Sequence, residues 1–509
     1  MAPDDELGDV RSTEQLVDAA GTGLRWITYA RIVIEVALFG SMVVLARLIP
    51  PAEFGIFAIV VIVQELALTM PMEGIGSAIV QRRAVSLAHL QGGVVLSLLV
   101  GVVLALATLA AAVVVVAPLF GHRTADLVAL AAPWYLLGAI YAVPVAMLRR
   151  RLDFRRLSLL DLAANITRAV ATIGLAVAGL DAEALLLGCM AGMAAAVVLA
   201  TAFARPPLPR WRSRAMRELL PYGGPAALAT IAWTGFRNGD YAIIGAKLGT
   251  AQAGFYWRGY QLSVEYQRKI SVLMTQMAFP VLARAGDAEA MLALRQRMVQ
   301  LLTVVLFPLL VSLALLAPVL VPWAFGPGWE PAVLPTQILA LGGAAVLVTD
   351  AAGSALMAAG RSRALLGYGV AHFVVYASVV IAVASHGLAA VAIGASVVHT
   401  VFLVIGYEVL LRGEGSTGLR VLWADIAPAT LSCVALVAVA APAEWGLRSL
   451  HVPALVHLAG VGTVGAIAYL SALRAWFPAT AADLATALRR LLPAGVIAAA
   501  PLRRLSAAR

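Results

Sequence analysis

Apolar runs of 18 or more residues recur along this chain from residue 26 to residue 473. This recurrence constrains the fold more than any other feature. A helix of that length crosses a hydrocarbon core of roughly 30 Å. Only helices and closed barrels span lipid, because backbone N–H and C=O groups find no water there. The runs are too long, and alternate too rarely, to be barrel strands. With 62% hydrophobic and 13% charged residues, the chain also has too little charge to cover a soluble surface of its size. The expectation is an all-α, polytopic membrane protein.

About fourteen spans are expected, near 26–46, 55–78, 92–117, 126–148, 158–179, 183–203, 220–244, 252–281, 299–324, 334–358, 363–384, 388–411, 420–441 and 454–473. The connections are short and leave no room for a large extramembrane domain. Their charge alternates. Residues 149–156 and 205–218 each carry about +4, and Arg82, Arg83, Arg361 and Arg363 lie in other basic loops. The loops between are neutral or acidic, with Asp181, Glu183 and Glu330. Basic loops stay cytoplasmic, so both termini are expected inside. This placement accounts for most of the net charge of +10, so no nucleic-acid partner is implied.

The first 24 residues are polar and lack the basic start and early apolar core of a signal peptide. They are expected to form a cytosolic tail, with an amphipathic helix from Thr13 to Ala20. Residues 476–509 are expected to form a basic, amphipathic cytoplasmic tail, interrupted by Pro493 and Pro501. Cys189 and Cys433 lie in apolar runs and are expected to be buried, with no disulfide framework and no metal site. His372 and His399 are expected to be satisfied packing residues. No cofactor motif is present, and no Walker A sequence.

Charges inside the apolar runs need another account, since a charge at bilayer depth is stable only against protein or a wet cavity. With Arg258 as reference on a straight helix, Glu265, Lys269 and Gln276 fall on one face, flanked by Gln261 and Arg268. That polar stripe runs roughly 27 Å along span eight. In span seven, Thr230, Thr234, Arg237 and Tyr241 share a face that Asp240 borders. Arg31 and Glu35 are four apart in span one, and Glu65, Thr69 and Glu73 repeat at four in span two. Two readings stand. Such stripes line a solvated cavity, or neighbours such as Glu265 and Lys269, Arg31 and Glu35, and Arg237 and Asp240 pair and stabilise packing. Asp350 is a weaker candidate, for ion coupling.

A weak internal repeat is also present. LARLIPPAEFG (45–55) resembles GAKLGTAQAGF (245–255) at an offset of 200. Spans one and two are thus expected to recur as spans seven and eight, with the site between the repeats. Prolines within spans, such as Pro71, Pro144, Pro225, Pro280 and Pro308, suit kinks or hinges.

ARLIPPAEFGIFAIV with EGIGSAIVQRR (73–83), and RNGDYAIIGAKLGTAQAGFYWRGYQL (237–262), resemble the polysaccharide transporter branch of the multidrug/oligosaccharidyl-lipid/polysaccharide flippases. The resemblance extends to span count and topology. It implies two six-helix lobes, related by a pseudo-two-fold around a central cavity, plus two C-terminal helices. The expected divisions are a cytosolic tail (1–24), an N-lobe (25–204), a basic inter-lobe loop (205–218), a C-lobe (219–412), two further spans (413–475) and the tail (476–509). It also implies a Wzx-type flippase, not an enzyme, in the bacterial cytoplasmic membrane. Such a flippase moves undecaprenyl-pyrophosphate-linked oligosaccharide by alternating access, for cell-surface polysaccharide synthesis.

On that reading the cavity holds Arg31, Glu35, Arg237, Asp240, Arg258, Glu265, Arg268 and Lys269. The cations would face pyrophosphate and acidic sugars, because a guanidinium donates two hydrogen bonds to phosphate oxygens. Expected partners are the lipid-linked oligosaccharide, membrane lipids, a coupling ion (H+ or Na+) and polysaccharide-assembly proteins, with the chain itself a monomer. Two alternatives are an ion-coupled drug/cation antiporter of the same superfamily and a membrane-embedded polysaccharide polymerase or glycosyltransferase. Span one offers Arg31 and Glu35 rather than the Asp of the antiporters, and no loop is large enough to hold a glycosyl donor.

Overall fold

The computed structural model describes residues 33–82, 84–265, 267–268, 288–358, 362–411, 417–450 and 452–491. Among these the regular structure is helical, without strands. The N-terminal helix expected at Thr13 to Ala20 and residues 492–509 of the tail lie outside the described residues, as does Pro280.

The helices follow in chain order: α1 (33–48), α2 (Pro51–Gln81), α3 (Leu87–Phe120), α4 (His122–Arg150), α5 (Phe154–Val177), α6 (Ala182–Ala204) and α7 (Ser213–Leu248). Next come α8 (Thr250–Tyr260, continued by a π-helical turn, Gln261–Glu265), α9 (Ala288–Phe325), α10 (Val333–Ala358), α11 (Ser362–Val383) and α12 (Leu388–Gly406). α13 (Gly418–Ser449), α14 (Ala454–Trp476) and α15 (Pro478–Leu491) complete the fold.

Eleven helices among the described residues are long and apolar enough to cross a membrane. The expected count of about fourteen is therefore not confirmed. The three expected spans outside the eleven are 26–46, 220–244 and 252–281. They hold all eight candidate charges, and two of them run into residues that are not described. Their described parts are helical.

Local chemistry explains where helices begin and end. Pro51 opens α2 at a position where its missing N–H costs nothing. The Ser86 side chain caps α3, and the Ser86 N–H donates in return to His89 Nδ1 at 3.1 Å. Gly249, with φ of 92°, reverses the chain between α7 and α8. Pro71 stands just before a π-turn, Met72–Gly76, that interrupts α2.

The chain divides into two compact units. One contains Met1–Trp257 with Ala324–Gly328, and the other Arg258–Trp323 with Trp329–Arg509. In the first, Ile75, Ile79, Leu148, Leu160 and Leu219 form a core. There α5 and α6 approach closely because Gly188 and Gly192 leave room for the Thr172 side chain and the Ala164 carbonyl. In the second, Leu302, Leu306, Leu310, Leu347, Tyr407 and Leu422 pack together. Val304, Cys433, Leu436, Val461 and Tyr469 form a neighbouring cluster, on which Leu484 of α15 also packs. Val102, Val103, Leu106, Val113 and Val114 on α3 are exposed, as expected for a surface solvated by lipid.

Candidate functional site

In α1, Glu35 is half-buried, while Arg31 lies outside the described residues. In α7 the backbone of Arg237 is helical, and its side chain is not among those described. Asp240 is only 2% exposed, and its Oδ1 accepts the Tyr241 N–H at 2.9 Å. A carboxylate so placed needs such donors in exchange for water. Asn238 Nδ2 donates to Glu65 Oε2 of α2 at 3.0 Å and to the Thr234 carbonyl at 3.0 Å. No sequence pattern singles out Asn238. It ties the acidic series of α2 to the polar face of α7 within the first unit.

The second unit carries the α8 charges. Arg258 is 4% exposed, although it sits in the middle of an otherwise hydrophobic stretch. Its Nη1 donates to Gln261 Oε1 at 2.9 Å, and its guanidinium lies 5.9 Å from the centre of the Trp329 ring. At that distance the negative face of the indole attracts the cation, at the outer range of a cation–π contact.

On a straight helix, one polar stripe would continue from Arg258 through Glu265. The π-turn Gln261–Glu265 changes this. An extra residue in one turn rotates the following register by about 100°. Arg258 contacts Trp329, while Glu265 and Arg268 form a separate group with α10. Arg268 Nε reaches Asp350 Oδ2 at 3.4 Å, and its Nη1 lies 3.9 Å from Glu265 Oε2. One guanidinium thus stands between two carboxylates, and Asp350 joins the group. Lys269 and Gln276 lie outside the described residues, so the expected pairing of Glu265 with Lys269 does too.

The two histidines expected to be satisfied packing residues meet each other. His372 Nε2 and His399 Nδ1 are 3.1 Å apart. A signal for this was present in the sequence. The two are equally far from the turn at Ser385 and His386, and a tight helical hairpin sets such positions side by side. Cys433 is buried and Cys189 half-buried, both as free thiols.

The profile of a family described as "Polysaccharide biosynthesis protein" matches residues 44–334, more than half of the chain. The lipopolysaccharide biosynthesis protein WzxC of Escherichia coli is 24% identical over 403 residues, covering 77% of this chain and 80% of the relative. The teichuronic acid biosynthesis protein TuaB of Bacillus subtilis is 24% identical over 487 residues, covering 91% and 97%. The solved structure of the lipid II flippase MurJ, in an inward closed conformation, aligns with a TM-score of 0.68 at 10% identity. That alignment covers 89% of this chain and 98% of the MurJ chain, and it establishes a shared fold.

Proposed function

The chain belongs to the polysaccharide biosynthesis protein family, and from this premise we propose that it is a flippase moving a lipid-linked oligosaccharide across a bacterial membrane. It is a multi-pass helical membrane protein of the superfamily that also contains the drug exporters, with the MurJ-like fold. The observation that carries the reading is Arg258, a nearly inaccessible guanidinium over the face of Trp329 within a helix of a membrane protein. The expense of placing a cation there is compensated when the group meets an anion in transit.

In this reading Arg258 and Arg268, with Arg31, Arg237 and Lys269, receive the pyrophosphate and acidic sugars. Several moderate contacts suit a carrier better than one tight site, since cargo must leave again. Glu35, Asp240 and Glu265 orient these cations and hold them apart between cargoes. The lobes are 25–204 and 219–412, with the basic loop 205–218 joining them on the cytoplasmic side. Both termini lie on that side, and residues 413–475 add two spans. No covalent step is involved. The site is exposed to one leaflet and then to the other, driven by an ion gradient or the membrane potential. The chain acts as a monomer alongside polysaccharide-assembly proteins.

The test is deletion of the gene followed by mass spectrometry of polyprenyl-linked glycans. A lipid-linked glycan should accumulate on the cytoplasmic leaflet. Surface polysaccharide should fall and return with the intact gene. Unchanged lipid-linked glycans with normal surface polysaccharide would overturn the reading.

A further inference from the structure

We propose that His372 and His399 form a binding site for a single proton, linked through Arg268 and Asp350 to anion binding. The link to the anion rests on the flippase reading above; the proton site does not.

The geometry is that of a shared-proton pair. His372 on α11 and His399 on α12 bring Nε2 and Nδ1 to 3.1 Å, with the rings at 89°. His372 is 9% exposed and His399 half-buried. Each ring has an aromatic neighbour across its flat face. His372 stacks on Phe402 at 4.5 Å and 15°, and His399 on Tyr376 at 5.1 Å and 28°.

Two neutral imidazoles in this arrangement share one hydrogen bond, an N–H of one donating to the lone pair of the other. A single added proton keeps that bond and makes it charge-assisted, imidazolium to imidazole. The aromatic faces attract the new charge. A second added proton would set two N–H donors and two positive charges against each other at the same distance. The pair therefore takes up one proton and resists another.

The groups that face it give the proton a consequence. From α11 these are Tyr376 and Tyr368, whose ring lies 6.0 Å from that of His372. Tyr368 is an electrostatic neighbour of Asp350 on α10. Arg268, beyond the α8 π-turn, is an electrostatic neighbour of His399, and Glu265 stands beside Arg268. While Arg268 stands near the pair its positive charge opposes a proton on His399, and the Asp350 and Glu265 carboxylates beside it offset that charge. An incoming phosphate draws the guanidinium toward itself and leaves the Asp350 carboxylate to attract a cation, which a proton on the histidine pair supplies. Anion and proton then strengthen each other's binding by the same factor, as linkage requires.

Proton counting on the purified protein in nanodiscs tests this. Titrated from about pH 8 down to about pH 3, because burial disfavours the charged imidazole, the intact protein should bind about one proton more than the His372→Gln/His399→Gln variant. A difference of zero or of two overturns the proposal. Nitrogen NMR of histidine-labelled wild-type protein in bilayers decides the same point without a variant. At the acid end of the titration one imidazolium hydrogen-bonded to one neutral imidazole is expected, and two neutral or two charged rings there overturn the site. The titration is then repeated with undecaprenyl pyrophosphate in the nanodisc. Its midpoint should rise by about one pH unit, a tenfold gain in proton affinity. Lipid binding without that rise overturns the link. Failure of the lipid to bind sinks the transport reading and the link with it, while the proton count still decides the site.

Discussion

Gly55 and Gly254 mark a reciprocal contact between the starts of α2 and α8. A methyl group on Gly55 would strike the carbonyl of Thr250, and one on Gly254 would strike the carbonyl of Pro51. Each glycine accepts the backbone of the other helix at the same point of its first turn. The exchange pairs the two halves of the internal repeat, one residue short of the offset of 200 read from the sequence. Since both obstacles are backbone, neither can swing aside. Gly55→Ala or Gly254→Ala is expected to destabilise the protein by about 1–3 kcal/mol, the usual cost of overpacking. Gly174, with nothing within 4 Å of an added methyl, provides the control: Gly174→Ala should be neutral or slightly stabilising. Thermal unfolding of the three purified variants in detergent compares them.

Arg258 is expected to matter for cargo more than for folding. Arg258→Ala should lower translocation of lipid-linked glycan at least about tenfold, the order of one lost charge-assisted contact. Membrane insertion and size-exclusion behaviour should be unchanged. Arg258→Lys keeps the charge but loses the planar fork of donors, and should recover transport only in part. Full transport by an Arg258→Ala/Arg268→Ala double variant in proteoliposomes would remove both arginines from the site.

A second buried pair should behave in the opposite way. Arg295 on α9 is 3% exposed and bonds to Asp425 on α13, which is fully buried; Nη2 to Oδ1 is 3.4 Å. Tyr407 donates its hydroxyl proton to Asp425 Oδ2 at 2.7 Å. This cluster joins α13 to the end of α12 and sits within the packed core. Removing one partner strands the other charge, so Arg295→Ala is expected to cost about 3–5 kcal/mol. Arg295→Met combined with Asp425→Leu should restore most of it, as thermal unfolding will read. A double variant as unstable as the single one would show that packing volume, not charge, is at stake.

Acid should act first at the basic loops. Glu218 at the start of α7 accepts from His89 Nε2 at 2.9 Å and from Arg214 at 3.3 Å, and it also pairs with Arg82. The Ser86 N–H donates to the other His89 nitrogen, which places the ring proton on Nε2. These contacts, the His89 hydrogen bond foremost and the Arg82 charge after it, hold the Glu218 carboxyl below its usual range. A depressed carboxylate stabilises the fold above its unfolded value, about 4.3, and loses that contribution as pH falls through the folded value. The unfolding temperatures of wild type and Glu218→Gln should therefore differ by a constant amount above about pH 5 and converge below about pH 4. A gap that widens in acid would contradict this assignment.

The chain's class and most of its helices were legible because both depend on local quantities. Run length decides whether a segment crosses lipid, and residues such as Pro51 and Gly249 decide where it starts or turns. The charges of α7 and α8 stood out for the same reason, since each is improbable where it lies. Their partners were less legible. A straight helix predicted one stripe through Arg258 and Glu265, but the π-turn between them sends Arg258 to Trp329 and Arg268 to Asp350.

By itself the sequence determined that this is a helical membrane protein carrying charges it must shelter, because hydrophobicity and helical period are written residue by residue. Only the tertiary structure decided that Gly55 meets the turn at Thr250 and that Asn238 holds Glu65. Those meetings depend on the rotation and depth of each helix against its neighbours. Close packing of distant surfaces sets both, and no local stretch of sequence contains them.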